Sequence, residues 1–472
     1  MIMTSEPPAA AGLPMQLARH ARLRGEHPAI VTAARSLSYS ELHAQVEGLA
    51  RGLIRQDIGA GAVVGVACCD ELQHLLLALA LMRVGAAQFT AIASGGADAA
   101  GAADRLGATA VLDDPAVQGM LENPPDQLLP APEAVADSSI YLATSGTSGQ
   151  AKLVCLLDSD LVAQAPRHIR DETERFACLA HIEHNFSKRH RLYCVAQGAT
   201  NVFIDAPLAS LSEQLQQLAV GTLHLSAYQA RELLSAPGLE SLSSLRLKIG
   251  GSHVPLALRQ RLQAQISQDL HTGYGTTETG AIAFATGSEH DECESVGRPL
   301  PGIRLRILDP AGQALPAGER GQVVIAGPGL FRSYHGQPQL SAARLIDGWF
   351  HTGDIGSLDE GGRLVLAGRA DDMFVFNSMN IYPEEIETVI RQFPNIEDAA
   401  VVPRRSAVHG DIPVALLQPA AATEIDLAEL RNYLRQRTGL RCPRQFLTVE
   451  RIPRNAGGKI RRDAALALLE QG

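Results

Sequence analysis

Residues 38–54 carry the alternation of apolar and polar positions that is typical of a helix buried along one face. Ser38 and Glu41 have the spacing of a capping box at its start. A short apolar strand over 61–69, a helix over 72–85 and another short strand follow. This alternation predicts an α/β fold with parallel strands. The apolar positions of the first helix are Leu42, Val46, Leu49 and Leu53.

The pattern changes twice further along the chain. Residues 303–327 contain two apolar strands separated by glycine and proline turns, which predicts a β-hairpin-rich segment. Near Gly368–Asp372 the chain turns polar, and the remaining hundred or so residues alternate again between helix and strand. That length is enough for a small α+β domain. The whole chain of 472 residues is too long for one compact core, so at least two domains are expected.

Composition narrows the classes of function. The formal net charge of −10 argues against nucleic acid or an anionic membrane as the main partner. The longest apolar run, Leu75–Met82, is too short to span a bilayer, and the N-terminus lacks a signal pattern. Seven scattered cysteines without metal-ligand spacing indicate a reducing compartment, and we therefore expect a cytoplasmic protein. The adjacent Cys68 and Cys69 are interpreted as small buried hydrophobes.

The first candidate site is the segment TSGTSGQAK, which directly follows an apolar strand. Its two glycines allow backbone N–H groups to converge, and four hydroxyls and a lysine add donors, as a polyanion such as triphosphate requires. A plain Ser/Gly-rich surface loop is the alternative. Walker A spacing is absent, which disfavours a kinase or a P-loop ATPase. The candidate ligands are Thr144, Ser145, Gly146, Thr147, Ser148, Gly149 and Lys152.

Four further clusters follow, and one of them is Gly368–Asp372 together with the segment 381–387. The segment 273–278 combines glycines, hydroxyls, the ring of Tyr274 and the carboxylate of Glu278, which suits a base and a phosphate-bound Mg²⁺. A tight turn with a capping Glu is the alternative. Asp354 follows a glycine turn and is suited to accept hydrogen bonds from ribose hydroxyls, although such turns are common. Lys459 lies on another glycine turn, where a solvated surface lysine is the alternative.

Taken in order, these segments resemble the acyl-adenylate-forming superfamily, which includes acyl- and aryl-CoA synthetases, adenylation domains of peptide synthetases and firefly luciferase. TSGTSGQAK resembles its phosphate loop, GYGTTE its Thr/Glu motif, FHTGD its ribose motif, GRADD its hinge and NAGGK its catalytic-lysine motif. The resemblance covers nearly the whole chain. It implies a large α/β N-terminal domain over 1–370, a hinge at Asp371, and a small mobile α+β domain over 371–472.

The resemblance also implies two half-reactions. A small carboxylic acid and ATP first form acyl-AMP, and the acyl group then passes to the thiol of CoA or of the phosphopantetheine on a separate acyl or peptidyl carrier protein. In the first step, Lys459 would bridge the carboxylate and the α-phosphate in the transition state. The resemblance implies that the β- and γ-phosphates are bound by Thr144, Ser145, Thr147 and Lys152. Thr277, in the nucleotide-binding segment that includes Gly275 and Thr276, would bind the α-phosphate, and Glu278 would bind Mg²⁺. Asp354, with Arg369 nearby, would bind the ribose, and Gly251 and Tyr274 would contact the adenine.

The acid pocket is expected near Leu179–Phe186. Peptide-synthetase domains carry an FDxS-like motif there, and its absence disfavours an α-amino acid. The stretch resembles the acyl-CoA synthetase version, in which a histidine or an aromatic residue gates the carboxylate pocket. Either His181 or His184 would take that role, and a histidine that caps a helix or fills space is the alternative. The basic run Lys188–Arg191 either attracts a second anionic group or, as we prefer, forms a solvated helix face.

Several positions depart from the family pattern. Ala151 and Leu153 replace a usual Pro and Gly in the phosphate loop, and Ser378 replaces a Gly that helps line the thiol tunnel. The segment 332–334 replaces a usual Gly-Tyr pair, with no assigned consequence. Two alternatives to an acid–thiol ligase stay open: an acyl-AMP ligase that uses a non-CoA acceptor, and a catalytically silent adenylate-binding protein. The silent protein is disfavoured because this chain has all the groups expected to bind the nucleotide and to catalyse the reaction: Glu278, Asp354, Arg369 and Lys459.

Overall fold

The computed structural model describes most of the chain. The described ranges are 12–91, 99–126, 129–132, 135–144, 152–290, 294–376, 379–406, 410–420, 423–455 and 458–471.

The helices that the structure describes are α1 (Leu13–Leu23), α2 (Tyr39–Arg55), α3 (Glu71–Arg83), α4 (Ala99–Leu106), α5 (Asp114–Glu122), α6 (Asp158–Gln164), α7 (Asn185–Gln197), α8 (Leu211–Gln217), α9 (Ala227–Leu233), α10 (Leu256–Gln265), α11 (Pro338–Arg344), α12 (Pro383–Arg391), α13 (Leu427–Thr438) and α14 (Arg462–Gln471). The strands are β1 (Pro28–Val31), β2 (Ser36–Ser38), β3 (Val63–Val66), β4 (Ala87–Thr90), β5 (Ala110–Leu112), β6 (Ser139–Thr144), β7 (Lys152–Leu157), β8 (Arg175–Cys178), β9 (Thr200–Val202), β10 (Thr222–Ser226), β11 (Arg246–Gly250), β12 (Leu270–Thr276), β13 (Gly280–Thr286), β14 (Arg298–Pro299), β15 (Arg304–Leu308), β16 (Gly321–Ala326), β17 (Ser333–Tyr334), β18 (Leu345–Ile346), β19 (Trp349–Leu358), β20 (Leu364–Arg369), β21 (Phe374–Phe376), β22 (Met379–Ile381), β23 (Ile396–Ser406), β24 (Gly410–Pro419) and β25 (Gln445–Thr448).

Two large sheets form the centre of the N-terminal domain. The first has the order β14-β13-β12-β11-β10-β8-β9-β1-β2, and its strands from β12 to β1 run parallel. The second has the order β17-β7-β6-β4-β3-β5, and its strands from β6 to β5 run parallel. This arrangement confirms the predicted α/β class. Helix α7 belongs to the main apolar core, with Leu192 and Tyr193 fully buried.

A third sheet, β15-β16-β19-β18 with β20 beside β19, is antiparallel throughout and includes the hairpin predicted within 303–327. The fourth sheet, β22-β21-β24-β23 with β25 beside β24, forms the small C-terminal domain. This domain has an apolar core of its own, to which Phe374, Ile386 and Leu417 contribute. The large N-terminal and small α+β C-terminal domains therefore agree with the predicted class.

Local expectations near the N-terminus are largely confirmed. The Ser38 hydroxyl accepts from the Glu41 amide at 3.2 Å, and the Ser38 amide donates to the Glu41 carboxylate at 2.7 Å, which completes the capping box. Such a cap stabilises a helix by about 1 kcal/mol. Helix α3 ends at Arg83, and Gly85 follows with φ of +70°, as helix termini favour.

The prediction that both adjacent cysteines are buried was half wrong. Cys68 is fully buried, whereas Cys69 is exposed. Strand β3 ends at Val66, before the predicted strand does, and the chain then turns toward α3. The amide of Cys69 donates to the Asp114 carboxylate at 2.8 Å in this turn, which directs its side chain outward.

Across the part of the chain that the structure describes, no helix has both the length and the apolar character that a membrane-spanning segment needs.

Candidate active site

Candidate residues from distant parts of the chain meet at one edge of the first sheet. Strands β8, β10, β11 and β12 are parallel, so the segments that follow their carboxyl ends lie on the same side. The histidines at 181 and 184 follow β8, Gly251 follows β11, and the motif at 273–278 ends β12. Ligands of open α/β sheets bind at such an edge, which makes it the place to look for a nucleotide site.

Asp354 is the centre of a polar cluster. The residue is 8% exposed, and its carboxylate accepts from the Tyr274 hydroxyl at one oxygen and from Arg369 Nη1 at the other, at 3.0 Å. Burial and the neighbouring Asp354 raise the pKa of Tyr274 well above its usual value. Burial alone would lower the pKa of Arg369, but Asp354 and then Asp371 raise it. The Tyr274 hydroxyl therefore stays protonated and Arg369 stays charged near neutrality. The remaining lone pairs of the Asp354 carboxylate oxygens stay available to hydroxyl donors.

A second cluster surrounds Glu278. The Tyr334 hydroxyl donates to Glu278 Oε1 at 2.8 Å, and Lys152 Nζ lies 5.7 Å from the centroid of the Tyr334 ring. Burial and the Glu278 carboxylate raise the pKa of Tyr334, so its hydroxyl stays protonated and donates. The sequence assigned no role to Tyr334. Its only signal was the departure from the usual pair at 332–334, because the partner carboxylate lies 56 residues away.

The candidate phosphate loop joins β6 to β7. Thr144 and Lys152 face each other in this antiparallel pair and close the base of the loop. Asn185 Nδ2, at the first turn of α7, donates to the carbonyl of Ala143 at 2.5 Å. The loop therefore begins beside the N-terminus of α7. The remaining candidates of this motif lie outside the described residues: Ser145, Gly146, Thr147, Ser148 and Gly149, as do Ala151 and Ser378.

The preferred interpretation of the basic run Lys188–Arg191 as a solvated helix face was wrong. All four side chains are at least 92% buried, because α7 lies in the core with strands and helices around it. Arg189 Nη1 donates to the carbonyls of Thr277 at 3.0 Å and Thr276 at 3.5 Å. Arg191 donates to the Val202 carbonyl at 2.7 Å. Backbone carbonyls thus supply most of the partners that solvent would otherwise provide.

Arg189 therefore holds the turn that carries Thr277 and Glu278. We expect Arg189→Met to lower kcat/KM for ATP by about tenfold, because two half-buried carbonyls lose a donor and the turn loosens, at a cost of about 1–3 kcal/mol. Steady-state kinetics with varied ATP would measure the change. Arg175→Met is the matched control, since Arg175 donates to the Leu218 carbonyl at 2.6 Å away from this turn. Equal losses in both variants would contradict the assignment.

The two candidate gate histidines lie just before α7. His181 Nε2 bonds the Cys69 carbonyl at 3.1 Å, and His181 Nδ1 lies 3.6 Å from a Glu183 carboxylate oxygen. His184 occupies the N-cap position of α7, but its side chain makes no capping hydrogen bond. Its ring is 39% exposed, so neither helix capping nor space filling accounts for it. Both rings border the start of α7, close to the end of β6.

Lys459 reaches the same edge from the C-terminal domain. Its side chain is exposed, while its amide donates to Asn455 Oδ1 at 3.0 Å and fixes the turn. Gly458 has φ of +78°, and a Cβ there would lie 3.3 Å from Ser252 Oγ. The lysine turn thus contacts the loop that begins with Gly251, where an added Cβ would meet nothing within 4 Å. Arg391 of α12 also reaches this loop and bonds His253 Nδ1 at 2.9 Å.

Comparison with known proteins identifies the family to which the chain is similar. The AMP-binding enzyme family matches residues 17–335, and its C-terminal domain family matches 385–459. A CoA ligase of Mycobacterium tuberculosis, named for a bicyclic indenyl propanoyl group, is 31% identical over 70% of this chain and 66% of its own length. A feruloyl-CoA synthase of Amycolatopsis is 28% identical over 94% of this chain and 96% of its own. The solved structure of the amide bond synthetase McbA from Marinactinospora thermotolerans superposes with a TM-score of 0.86 at 24% identity, covering 97% of this chain and 99% of the other.

The two family matches cover most of the chain in the order that the sequence motifs predict. Relatives at about 30% identity include CoA ligases, and the superposed structure extends over both domains. The predicted resemblance is thereby confirmed: the chain belongs to the AMP-binding enzymes of the acyl-adenylate-forming superfamily.

Proposed function

We propose that this AMP-forming acid–thiol ligase activates a small carboxylic acid as acyl-AMP and passes the acyl group to the pantetheine thiol of CoA or of a carrier protein. The observation that carries the proposal is the convergence at one sheet edge of the Asp354 cluster, the Glu278 cluster and the Lys459 turn. Each of the three supplies groups suited to a different part of the substrates, namely the ribose, the triphosphate and the acid.

Asp354 would bind the ribose hydroxyls. Its two oxygens are oriented by Tyr274 and Arg369, which fixes the carboxylate plane before a nucleotide arrives. Preorganised acceptors of this kind bind without further ordering cost. The open space beside Gly251, on the loop next to β12, would accommodate the adenine.

The phosphates would lie between the β6–β7 loop and the turn at Thr277. Lys152, at the base of that loop, supplies a cation near Tyr334, and Thr277 supplies a hydroxyl on the neighbouring turn. Attack of a carboxylate on the α-phosphorus brings two anions together, so these donors lower the barrier by neutralising charge. Lys459, which reaches this edge on its turn, would neutralise the charge shared by the carboxylate and the α-phosphate.

Glu278 fits a Mg²⁺ site of the kind in which one carboxylate and the substrate phosphates share the ion. Tyr334 orients one oxygen, and within the described residues no hydrogen bond reaches the other. Those residues also contain no group of three or more His, Cys, Asp and Glu side chains that could hold a metal without phosphates, in keeping with an ion bound largely by phosphate. When bound, Mg²⁺ would supply charge neutralisation at the phosphates.

Removing the Tyr334 hydroxyl should weaken Mg²⁺ binding at Glu278 without removing the carboxylate. We expect Tyr334→Phe to raise the Mg²⁺ concentration for half-maximal pyrophosphate exchange by about tenfold, the lower range for loss of a group that orients a metal ligand. A Mg²⁺ titration of the exchange rate measures it. Tyr39→Phe is the control, because it removes a buried hydroxyl that donates to Ala199 at 2.7 Å. An unchanged titration in Tyr334→Phe would argue against Glu278 as the metal ligand.

The second half-reaction would follow a rotation of the C-terminal domain about Asp371, with the domains bounded at 370 and 371. Asp371 accepts from Arg369 Nη2 at 3.1 Å, so it is tied to the ribose cluster on one side. The separate core of the small domain begins at Phe374. A rotation there would withdraw Lys459 and admit a thiol, a common way to order two chemical steps.

The test of the function is acid-dependent pyrophosphate exchange and hydroxamate formation across a panel of aryl and aliphatic acids. We expect exchange with at least one acid and a thioester when CoA or a phosphopantetheine-loaded carrier protein is added. AMP release with the carrier but not CoA would assign the carrier as acceptor. If pyrophosphate exchange occurs but the acyl group is transferred only to an added amine, the enzyme is an acyl-AMP ligase that uses a non-CoA acceptor instead of a thiol. Failure to activate any acid would overturn the proposal in favour of a silent adenylate-binding protein.

A further inference from the structure

A buried lysine lies one helical turn behind the candidate carboxylate gate. The amide of Lys188 donates to the carbonyl of His184 at 3.0 Å, which places Lys188 one turn along α7. Its side chain is 1% exposed, and Nζ reaches Thr90 Oγ1, at the end of β4, at 3.4 Å. Within the described ranges Lys188 forms no ion pair. Burial lowers the pKa of Lys188 to about 7, because an ammonium buried without a carboxylate is costly, and an anionic partner would stabilise its charged form.

His74 of α3 is a second polar group in this place. It is fully buried, its Nδ1 bonds the Cys68 carbonyl at 3.4 Å, and its Nε2 has no hydrogen-bond partner in the described structure. Burial lowers the pKa of His74 well below its usual value, and the nearby Lys188 lowers it further. A bound carboxylate would offset both effects, because it would favour the imidazolium, whose Nε2–H could then donate.

The buried pair connects to the candidate gate through His181. His74 and His181 bond the carbonyls of the successive residues Cys68 and Cys69. The His181 side chain is 35% exposed, whereas His74 and Lys188 are buried. A polar track therefore runs inward from the edge where the acid carboxylate would be activated.

We propose that Lys188, with His74 and Thr90, binds a second carboxylate at the far end of the substrate, so that the enzyme prefers dicarboxylic acids. The inference rests on the proposed function, since it presumes that an acid is activated at the start of α7. Its chemistry follows from the donor set: the Lys188 ammonium, the Thr90 hydroxyl that it contacts at 3.4 Å, and the His74 imidazole, whose Nε2 has no hydrogen-bond partner in the described structure. A terminal methyl group in the same place would leave the ammonium without a charged partner.

The test compares acids of equal carbon number with and without a second carboxylate: butanoate with succinate, and hexanoate with adipate. Hydroxamate formation by the full-length enzyme gives kcat/KM for each. We expect the wild type to favour at least one diacid by tenfold or more. Lys188→Met should reduce the diacid-to-monoacid ratio by about ten- to 100-fold, as loss of a buried charge partner does, while the monoacid rate persists.

Lys248→Met is the matched control. Lys248 is 6% exposed and its ammonium donates to the His168 carbonyl, so the variant also removes a buried ammonium but should leave the ratio unchanged. Thr90→Val, a smaller change, should reduce the ratio in the same direction and covers the case in which Lys188→Met does not fold. No diacid preference in the wild type, or the same ratio in Lys188→Met or Thr90→Val, would overturn the inference alone. Failure with every acid of the wider panel would overturn the proposed function instead.

Discussion

Replacing Lys459 with alanine is expected to reduce acid-dependent pyrophosphate exchange by about 100- to 1,000-fold, the cost of losing one preorganised electrostatic donor. The side chain is exposed, so its removal costs no packing. The turn depends on backbone groups instead: Asn455 N donates to the Lys459 carbonyl at 2.9 Å, and Lys459 N donates to Asn455 Oδ1. Alanine keeps both bonds. The defect should therefore be chemical, with the melting temperature unchanged.

Two controls separate this role from a general effect of charge. Arg461→Ala removes a neighbouring exposed cation that pairs with Asp463 at 2.9 Å, and it should leave exchange within a factor of about two, as expected for a surface ion pair. Synthetic acyl-AMP with the thiol acceptor bypasses the first half-reaction, so Lys459→Ala should consume it at the wild-type rate. Normal exchange in Lys459→Ala would remove this lysine from the mechanism.

The sequence predicted the fold class because local and global signals agree at many positions. The capping box of Ser38 and Glu41, the hairpin within 303–327 and the glycine after α3 each depend on residues close in sequence. The order of the motifs then identified the family, which the comparisons confirm. The contact between Tyr274 and Asp354 joins residues that are 80 positions apart. The order of the motifs predicts it only through the family resemblance.

What the sequence could not show is where a charged side chain finds its partner. A basic run predicts a solvated face because solvent is the usual partner of charge. For the two arginines of α7 the main partners are carbonyls from other elements, such as that of Thr277 for Arg189, 88 residues away. No side-chain pattern marks a backbone carbonyl as an acceptor. The same limit hid Tyr334, whose role depends on the register that pairs β17 with β7.

Three buried histidines, one on α7 and two packed against it, are expected to make the stability of the fold strongly dependent on pH. The Ala281 amide donates to His168 Nε2 at 3.1 Å, so His168 Nδ1–H donates to His190 Nε2 at 3.0 Å, and His190 Nδ1–H donates to the Phe186 carbonyl at 2.6 Å. This directional chain requires both imidazoles to be neutral. His224 packs against His190, with ring centroids 4.3 Å apart. Burial lowers the pKa of His190 to about 3 and those of His168 and His224 well below their usual value.

The folded protein should therefore lose stability as the pH falls below about 6.5, where the unfolded chain binds protons that the folded chain excludes. Each such histidine costs about 1.4 kcal/mol per pH unit in this window, so the three together should remove roughly 4 kcal/mol at pH 5.5 relative to pH 7.5. Urea unfolding at the two pH values measures the loss. His224→Phe should recover about 1.4 kcal/mol of it, because Phe keeps the contact with Phe186 and cannot be protonated. His335→Phe, which replaces a ring packed 5.2 Å from Tyr141 outside this cluster, should leave the loss unchanged. A loss that is the same in all three proteins would show that groups other than these histidines set the acid limit of the fold.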